Sequence, residues 1–380
     1  MNKFITLLFA FLMSFSCSHS QGVGKGQRID MTDVLHLDRN GGQFAQIFIP
    51  DYFVPNGQTY DLVFHLHSAS WAAEDEVYKA KANAILFNIH LGAFSSPYQF
   101  YFSQTDRFRT VLKQIRETLI QKGIVSDSTQ IRYLILTSFS AGYAGVREIL
   151  KSDTYYKMIT ALHLADGLHS NSDQSTMDYQ MKDFLRFARD AVHQKKIFRL
   201  THSSITTSGY KSTTETANYL LQKLGLTRTP VSVQDEIGTM YSRCDSGYFH
   251  LRGYLGNTAH DHLQHLYAMH LMLQATMGQL LNGTGINNRK TMAENFQLSQ
   301  NFPNPFNQQT VIRYYLPKTS AVVMRIYNSR GELVATPVRQ SQTLGWHHLN
   351  FNAQALPSGQ YFLLLTAGKV HLQRRMLLLK

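Results

Sequence analysis

The chain has 380 residues, 43% of them hydrophobic and 16% charged, with a formal net charge of +12. That length allows two domains, and that balance belongs to a packed protein rather than a disordered one. Nine Lys and Arg residues against a single Glu fall in 296–380, so most of the basic excess sits in the tail; it favours contact with an anionic cell surface, and no basic, aromatic-interleaved platform points to nucleic acid.

Residues 1–20 read as a signal peptide. Lys3 supplies the positive end, and 4–15 form an apolar core of about 12 residues, too short for a comfortable membrane span. Ser18-His19-Ser20 offers a small-x-small cleavage site before Gln21. Cys17 raises a lipoprotein alternative, but Ser14-Phe15-Ser16-Cys17 lacks the leucine that starts a lipobox, so ordinary cleavage is favoured. Cleavage leaves Cys244 alone and the chain without an internal disulfide. Cys244 lies in a polar segment with no sharp turn, which argues against a nucleophile.

Strands are predicted at 43–50, 60–67 and 83–90, with a turn at Asn56-Gly57. The loop Ser68-Ala69-Ser70-Trp71 follows the second strand, and an aromatic loop at 94–102 follows the third. Val111, Leu112, Ile115 and Leu119 give 108–121 helical spacing. Residues 133–137 are a short apolar run, as in a strand covered on both faces, and small residues then lead into a helix. Strands at 158–165, 196–201 and 249–255 alternate with helices at 181–192, 213–224 and 262–281. This alternation predicts an α/β domain over 21–281, a doubly wound and mostly parallel sheet. In such sheets the ligand site lies outside the carboxyl ends of the strands.

At 282–295 the composition becomes that of a linker. From 296 the pattern is all-β, with short strands at 311–316, 321–327, 333–338, 347–351, 360–366 and 371–378. A small antiparallel, Ig-like sandwich is expected. Leu298-Ser-Gln-Asn-Phe-Pro-Asn-Pro-Phe-Asn307, Thr310-Val-Ile-Arg-Tyr, Ile326-Tyr-Asn-Ser-Arg-Gly331, Leu356-Pro-Ser-Gly-Gln-Tyr-Phe362 and the terminal Lys380 occur in order. This stretch resembles the C-terminal sorting domains of type IX secretion cargo. The resemblance implies export by the leader and then by the tail, with the type IX machinery as partner and a secreted or cell-surface location.

Ser140 sits at the apex of Ser138-Phe139-Ser140-Ala141-Gly142. The stretch resembles the nucleophile elbow, G-x-S-x-G, of α/β-hydrolases, with serine in place of the first glycine. The family order is Ser, acid, His. Asp166 stands directly after the next strand and is the expected acid; Glu215 is the reserve. The base is expected just after the last strand, at Gly256-Asn-Thr-Ala-His260-Asp-His262. Thr258 with Asp261 three residues on resembles a helix start. His262 then begins a stripe with Leu266, Met269 and Leu273, so His262 is preferred and His260 is the competitor. His265 and His270 read as structural.

The oxyanion donors implied by the resemblance are the backbone N–H of Ser68 or Ala69 and that of Ala141, with His67 holding its loop by a hydrogen bond. Trp71, Tyr98 and Phe100 are candidate walls of a substrate pocket, or packing residues. The expected function is a secreted serine hydrolase acting on an extracellular ester, such as a polyester or an acylated polysaccharide, through an acyl-enzyme and with no cofactor. Two alternatives stay open: an inactive hydrolase-fold binding protein at the cell surface, and a protein that binds a metal through His260, Asp261, His262 and His265.

Overall fold

The computed structural model describes residues 24–281, 296–301, 303–368 and 370–380. The expected leader, with Cys17, and the expected linker lie outside the described residues. The chain divides into two compact units, Met1–Gly285 and Ile286–Lys380.

The first unit is built on one ten-stranded sheet. Its strands are β1 (Gly26–Asp30), β2 (Phe44–Pro50), β3 (Thr59–Leu66), β4 (Ala84–His90), β5 (Gln130–Phe139), β6 (Ile159–Ala165), β8 (Ile197–His202), β10 (Thr229–Gln234), β11 (Thr239–Ser246) and β12 (Phe249–Tyr254). A separate two-stranded ribbon pairs β7 (Ser170–Asn171) with β9 (Tyr210–Lys211). The spatial order is β1-β2-β4-β3-β5-β6-β8-β12-β11-β10. From β4 to β12 every neighbouring pair is parallel. At each edge the pairing turns antiparallel. This is the doubly wound, mostly parallel sheet that the sequence predicts, with antiparallel strands added at both edges. β3, β4 and β6 are buried almost end to end. That is the cost of helices on both faces, and it explains their runs of Leu, Val, Ile and Phe.

Nine helices accompany the sheet among the described residues: α1 (Ser70–Lys79), α2 (Ser95–Ser103), α3 (Arg107–Gln121), α4 (Tyr143–Leu150), α5 (Asp153–Met158), α6 (Gln174–Val192), α7 (Thr213–Leu224), α8 (Ala259–Tyr267) and α9 (Met269–Leu281). α3 turns Phe108, Val111, Leu112, Ile115 and Leu119 inward, each contributing about 2 kcal/mol of apolar burial. α7 starts at a capping box between Ser212 and Glu215 and ends at Gly225, whose φ of +68° suits glycine.

Several expectations need correction. The segment after β3 opens α1 rather than remaining a loop. Its three successive acids, Glu74, Asp75 and Glu76, are buried. Arg28 pairs with Glu74, the Gly24 N–H donates to Asp75, and His270 with Lys79 meets Glu76. Buried acids invert the usual polar-out pattern, which hides the helix in the sequence. The aromatic stretch 94–102 is mostly α2. Pro97 lies in its first turn, where a missing N–H does no harm, and Tyr98 with Phe102 buries one face. The helix expected over 262–281 starts earlier and breaks at Ala268. β1, β10 and β11 add sheet edges that the sequence reading lacked. β10 is exposed along most of its length, so it shows no alternation to read.

The second unit holds β13 (Gln297–Leu298), β14 (Gln309–Leu316), β15 (Ser320–Asn328), β16 (Leu333–Gln342), β17 (Gly345–Asn352), β18 (Gly359–Ala367) and β19 (Val370–Leu378). They form antiparallel sheets of order β13-β14-β17 and β16-β15-β18-β19. Burial alternates cleanly along β14, β15 and β18. Ile312, Tyr314, Met324, Ile326, Leu363 and Leu365 meet in one core between the sheets. Among the described residues of both units, no helix is long and apolar enough to cross a membrane.

Candidate active site

Three neighbouring parallel strands, β3, β5 and β6, end in the same unusual way. The residue just past each is a non-glycine in the left-handed region: His67 at φ +75°, Ser140 at +46° and Asp166 at +41°. Such conformations cost on the order of 1–3 kcal/mol each and persist only where the surroundings enforce them. All three lie at the carboxyl edge of the sheet.

Close packing enforces the turn at Ser140. A Cβ on Gly142 would stand 2.5 Å from the Leu66 carbonyl oxygen, and one on Gly145 would stand 2.6 Å from Leu66 Cδ2. These glycines therefore let α4 press onto β3. A Cβ on Gly167 would stand 2.3 Å from the Ser140 carbonyl oxygen and 2.5 Å from its nitrogen. The turn after β6 thus rests directly on the Ser140 backbone. Ser140, Ala141 and Gly142 form one 3-10 turn that runs into α4. Its leading N–H groups belong to a helix start, where intrahelical partners are lacking. Ser138 is fully buried, and among the described residues its hydroxyl has no hydrogen-bond partner.

Asp166 is 4% exposed. One carboxylate oxygen accepts the Ser203 N–H at 2.9 Å; the other accepts from His262 Nδ1 at 2.7 Å. Burial alone would raise this carboxyl. The charges of His265 and His262, the His262 hydrogen bond and the Ser203 N–H outweigh burial and hold it well below the usual carboxylate range. An ionised acceptor on Nδ1 fixes the tautomer and leaves Nε2 as the basic nitrogen of His262. α8 presents His262 one turn into the helix, after a capping box between Thr258 and Asp261. The His262 ring lies against Phe139, with centroids 4.5 Å apart, one residue before Ser140. Among the described residues no hydrogen bond joins the Ser140 hydroxyl to His262.

Behind His262 runs a column of rings. Phe139 faces His67 at 6.1 Å, His67 stacks on His90 at 5.3 Å, and His90 stacks on Phe44 at 5.3 Å. His67 Nδ1 shares a hydrogen bond of 3.0 Å with the Tyr98 hydroxyl, which also accepts the Leu91 N–H at 2.9 Å. Burial pushes His90 down to about 4, and it pushes His67 well below its ordinary value, helped by His90, His65 and His262. Both stay neutral, so Asp166 is the ionised partner of His262. Sequence reading missed Phe139, His90 and Ser203. Phe139 sits inside the elbow motif and was the one a reader could have found.

The structure brings Ser140, Asp166 and His262 to one edge and leaves other candidates elsewhere. Glu215 caps α7 and pairs with Lys211 at 2.9 Å, so the reserve acid does not reach His262. His260 is exposed on α8. His265 points inward to Thr201 Oγ1 at 2.8 Å, and burial pushes it down to about 4. His270 lies between Glu76 and Glu236. Among the described residues no group of three His, Cys, Asp or Glu is arranged to hold a metal; His262 and His265 turn to different partners. Ser68 is buried, and Ala69 is the N-cap of α1. The pocket expectation needs correction. Tyr98 is fully buried as a core hydrogen-bonding hub, whereas Phe100 is 71% exposed. Trp71 stacks on Tyr267 of α8 at 5.8 Å. Cys244 is buried.

Residues 300–378 match the family described as a secretion system C-terminal sorting domain. This domain marks the protein for export to the cell surface or the medium and makes the type IX machinery its partner. Curated sequences contain no match to the chain. Among solved structures, it is similar to PorZ, described as an essential surface component of the type IX secretion system of Porphyromonas gingivalis, at 16% identity and a TM-score of 0.18; the match covers 22% of this chain and 11% of that one. It is also similar to a feruloyl esterase module from Clostridium thermocellum, at 13% identity, TM-score 0.38, 65% of this chain and 87% of that one. A glucuronoyl esterase from Solibacter usitatus matches at 9% identity, TM-score 0.32, 60% of this chain and 77% of that one.

Proposed function

We propose that the protein is an exported serine carboxylesterase that works through an acyl-enzyme. The observation that carries this reading is the 2.7 Å bond from His262 Nδ1 to buried Asp166, set beside a strained serine turn. In this reading Ser140 Oγ attacks the ester carbonyl carbon, and its proton passes to His262 Nε2. Asp166 stabilises the imidazolium that forms. The tetrahedral oxyanion takes the Ala141 N–H and one N–H from Ser68 or Ala69. His262 then gives its proton to the departing alcohol. Water, activated by the same imidazole, releases the acid. The absent hydrogen bond between Ser140 and His262 agrees with a resting site, since catalytic bonds often tighten only when substrate arrives.

The division of labour follows. Residues 21–281 carry the chemistry, 296–380 carry export, 282–295 link them, and 1–20 are the leader. Export makes an extracellular ester the natural substrate. A fluorophosphonate probe tests the reading. Wild type should be labelled at Ser140, and Ser140→Ala should not. An unlabelled wild type that also leaves a panel of aryl and alkyl esters untouched overturns it, in favour of a surface binding protein.

A further inference from the structure

A second cluster of rings adjoins the Ser140 turn. Gly167 touches the Ser140 backbone, and His169 comes two residues later. Tyr143 is the first residue of α4, three residues after Ser140. Tyr210 arrives from β9, which pairs with β7 and folds the 203–211 segment back onto the site. His169 meets the Tyr143 ring at 5.2 Å and the Tyr210 ring at 5.3 Å, both edge to face. His169 Nδ1 donates to the Lys211 carbonyl at 3.0 Å, so Nε2 is an acceptor. Asp166 and His262 both lie within electrostatic reach of His169. Among the described residues, neither tyrosine hydroxyl nor His169 Nε2 has a hydrogen-bond partner, and neither the Tyr143 hydroxyl nor His169 Nε2 is sealed from water. Tyr210 is 38% exposed.

Ring bodies joined to unpaired polar tips form a surface that is apolar in the middle and hydrogen-bonding at its rim. Unlike the unpaired hydroxyl of Ser138, which is sealed in the core, these tips can meet a ligand from solvent on the side where Tyr210 is exposed. We propose that Tyr143, His169 and Tyr210 wall a subsite that receives a hydroxyl-bearing ring of the substrate. The proposal rests on the esterase reading for its place beside the nucleophile. Such a ring has two sources: the acid, as a hydroxyaryl group, or the alcohol, as a sugar. The rings supply contact area, while His169 Nε2 accepts a hydrogen bond from a substrate O–H and the tyrosines donate or accept.

The test uses full-length protein carrying Ser140→Ala, so that binding is read without turnover. Calorimetry measures methyl 4-hydroxycinnamate in one arm and 6-O-acetylglucose in the other. One of the two should bind, which identifies the source. Adding Tyr210→Ala should weaken that binding about tenfold, the effect of losing one good ring contact. His169→Phe keeps a ring and removes the acceptor; it should also weaken binding, and the deoxy or dehydroxylated analogue should no longer distinguish the two proteins. Binding of neither ligand, or binding indifferent to both substitutions, overturns the proposal. The esterase reading fails separately, through absent probe labelling and absent hydrolysis of 4-nitrophenyl acetate in protein with native Ser140. In active protein, Tyr210→Ala should cost more on the ring-bearing ester than on ethyl acetate, which has no ring.

Discussion

The two units treat local rules differently. In the second unit Gln308 is the one non-glycine residue of the described set with positive φ, and Asn301 and Thr310 are its buried polar residues. The first unit has seven such backbone positions and buries many histidines and carboxylates. Three of the seven fall on one edge of one sheet, at His67, Ser140 and Asp166. A unit that only needs to be recognised can satisfy nearly every local preference. The unit for which we propose chemistry departs from them at one edge, as functional sites commonly do, and compensates elsewhere.

The largest test of this contrast is at the strained edge. Ser140→Ala and His262→Ala should each lower kcat/KM on a responsive ester by about 10⁴-fold or more, because such groups act as a unit. Asp166→Asn should fall by a similar factor, since an amide cannot hold the imidazolium. Steady-state kinetics check all three, and an Asp166→Asn protein with near-normal rates would remove the acid assignment. Retained activity in His262→Ala, with loss in His260→Ala, would reassign the base.

Next in size is a change confined to the second unit. Ile326 is fully buried between its sheets. Ile326→Ala should destabilise that unit by about 3 kcal/mol and impair export, with kcat/KM of the purified protein unchanged. Denaturant melts and a secretion assay read the two effects. Lost hydrolysis would show that the units are not separable in function.

A pH effect of intermediate size should appear in the first unit. His270 sits 2.7 Å from Glu76 and 3.3 Å from Glu236, with Lys79 on the other side of Glu76. Burial lowers its affinity for a proton, but the two carboxylates prevail and raise it from 6.5 to about 9. A raised value in the folded state means that the stabilisation is complete below about 6.5 and disappears as pH climbs through about 9. Melting temperature should fall over that interval, and His270→Gln should flatten the fall. A flat profile in wild type would discount the clamp.

The smallest expected change concerns Ser138. Its buried hydroxyl has no partner among the described residues, so Ser138→Ala should be neutral or should stabilise by about 1 kcal/mol. A marked loss of stability would reveal a hidden role for that oxygen.

These contrasts also set what the sequence disclosed. The β-strands of the second unit stood out one after another, because turn residues such as Ser329-Arg330-Gly331 and Pro357-Ser358-Gly359 punctuate short apolar runs. The parallel strands of the first unit were visible as short apolar runs alternating with helical spacing. Ser140, Asp166 and His262 were legible because chain order and strand ends restrict each to a short stretch. α1 was not, since Glu74 and Glu76 look solvated in the sequence and are buried in the fold. Tyr98 was misplaced for the opposite reason. An aromatic stretch after a strand looks like a pocket wall, and only the fold shows its hydroxyl gripped by His67 and Leu91. Tyr143, His169 and Tyr210 come from three separate elements, and no spacing rule joins them.

Cys244 has a consequence for the route the protein travels. It faces inward from β11 into the main core, and burial raises its thiol, so little thiolate forms. The sequence holds one other cysteine, Cys17, in the expected leader. A passenger built this way moves from a reducing to an oxidising compartment with nothing to wire and nothing to rewire. Once the leader is removed as proposed, it requires no thiol oxidase or disulfide isomerase, and its one remaining thiol, Cys244, is buried away from crowded neighbours.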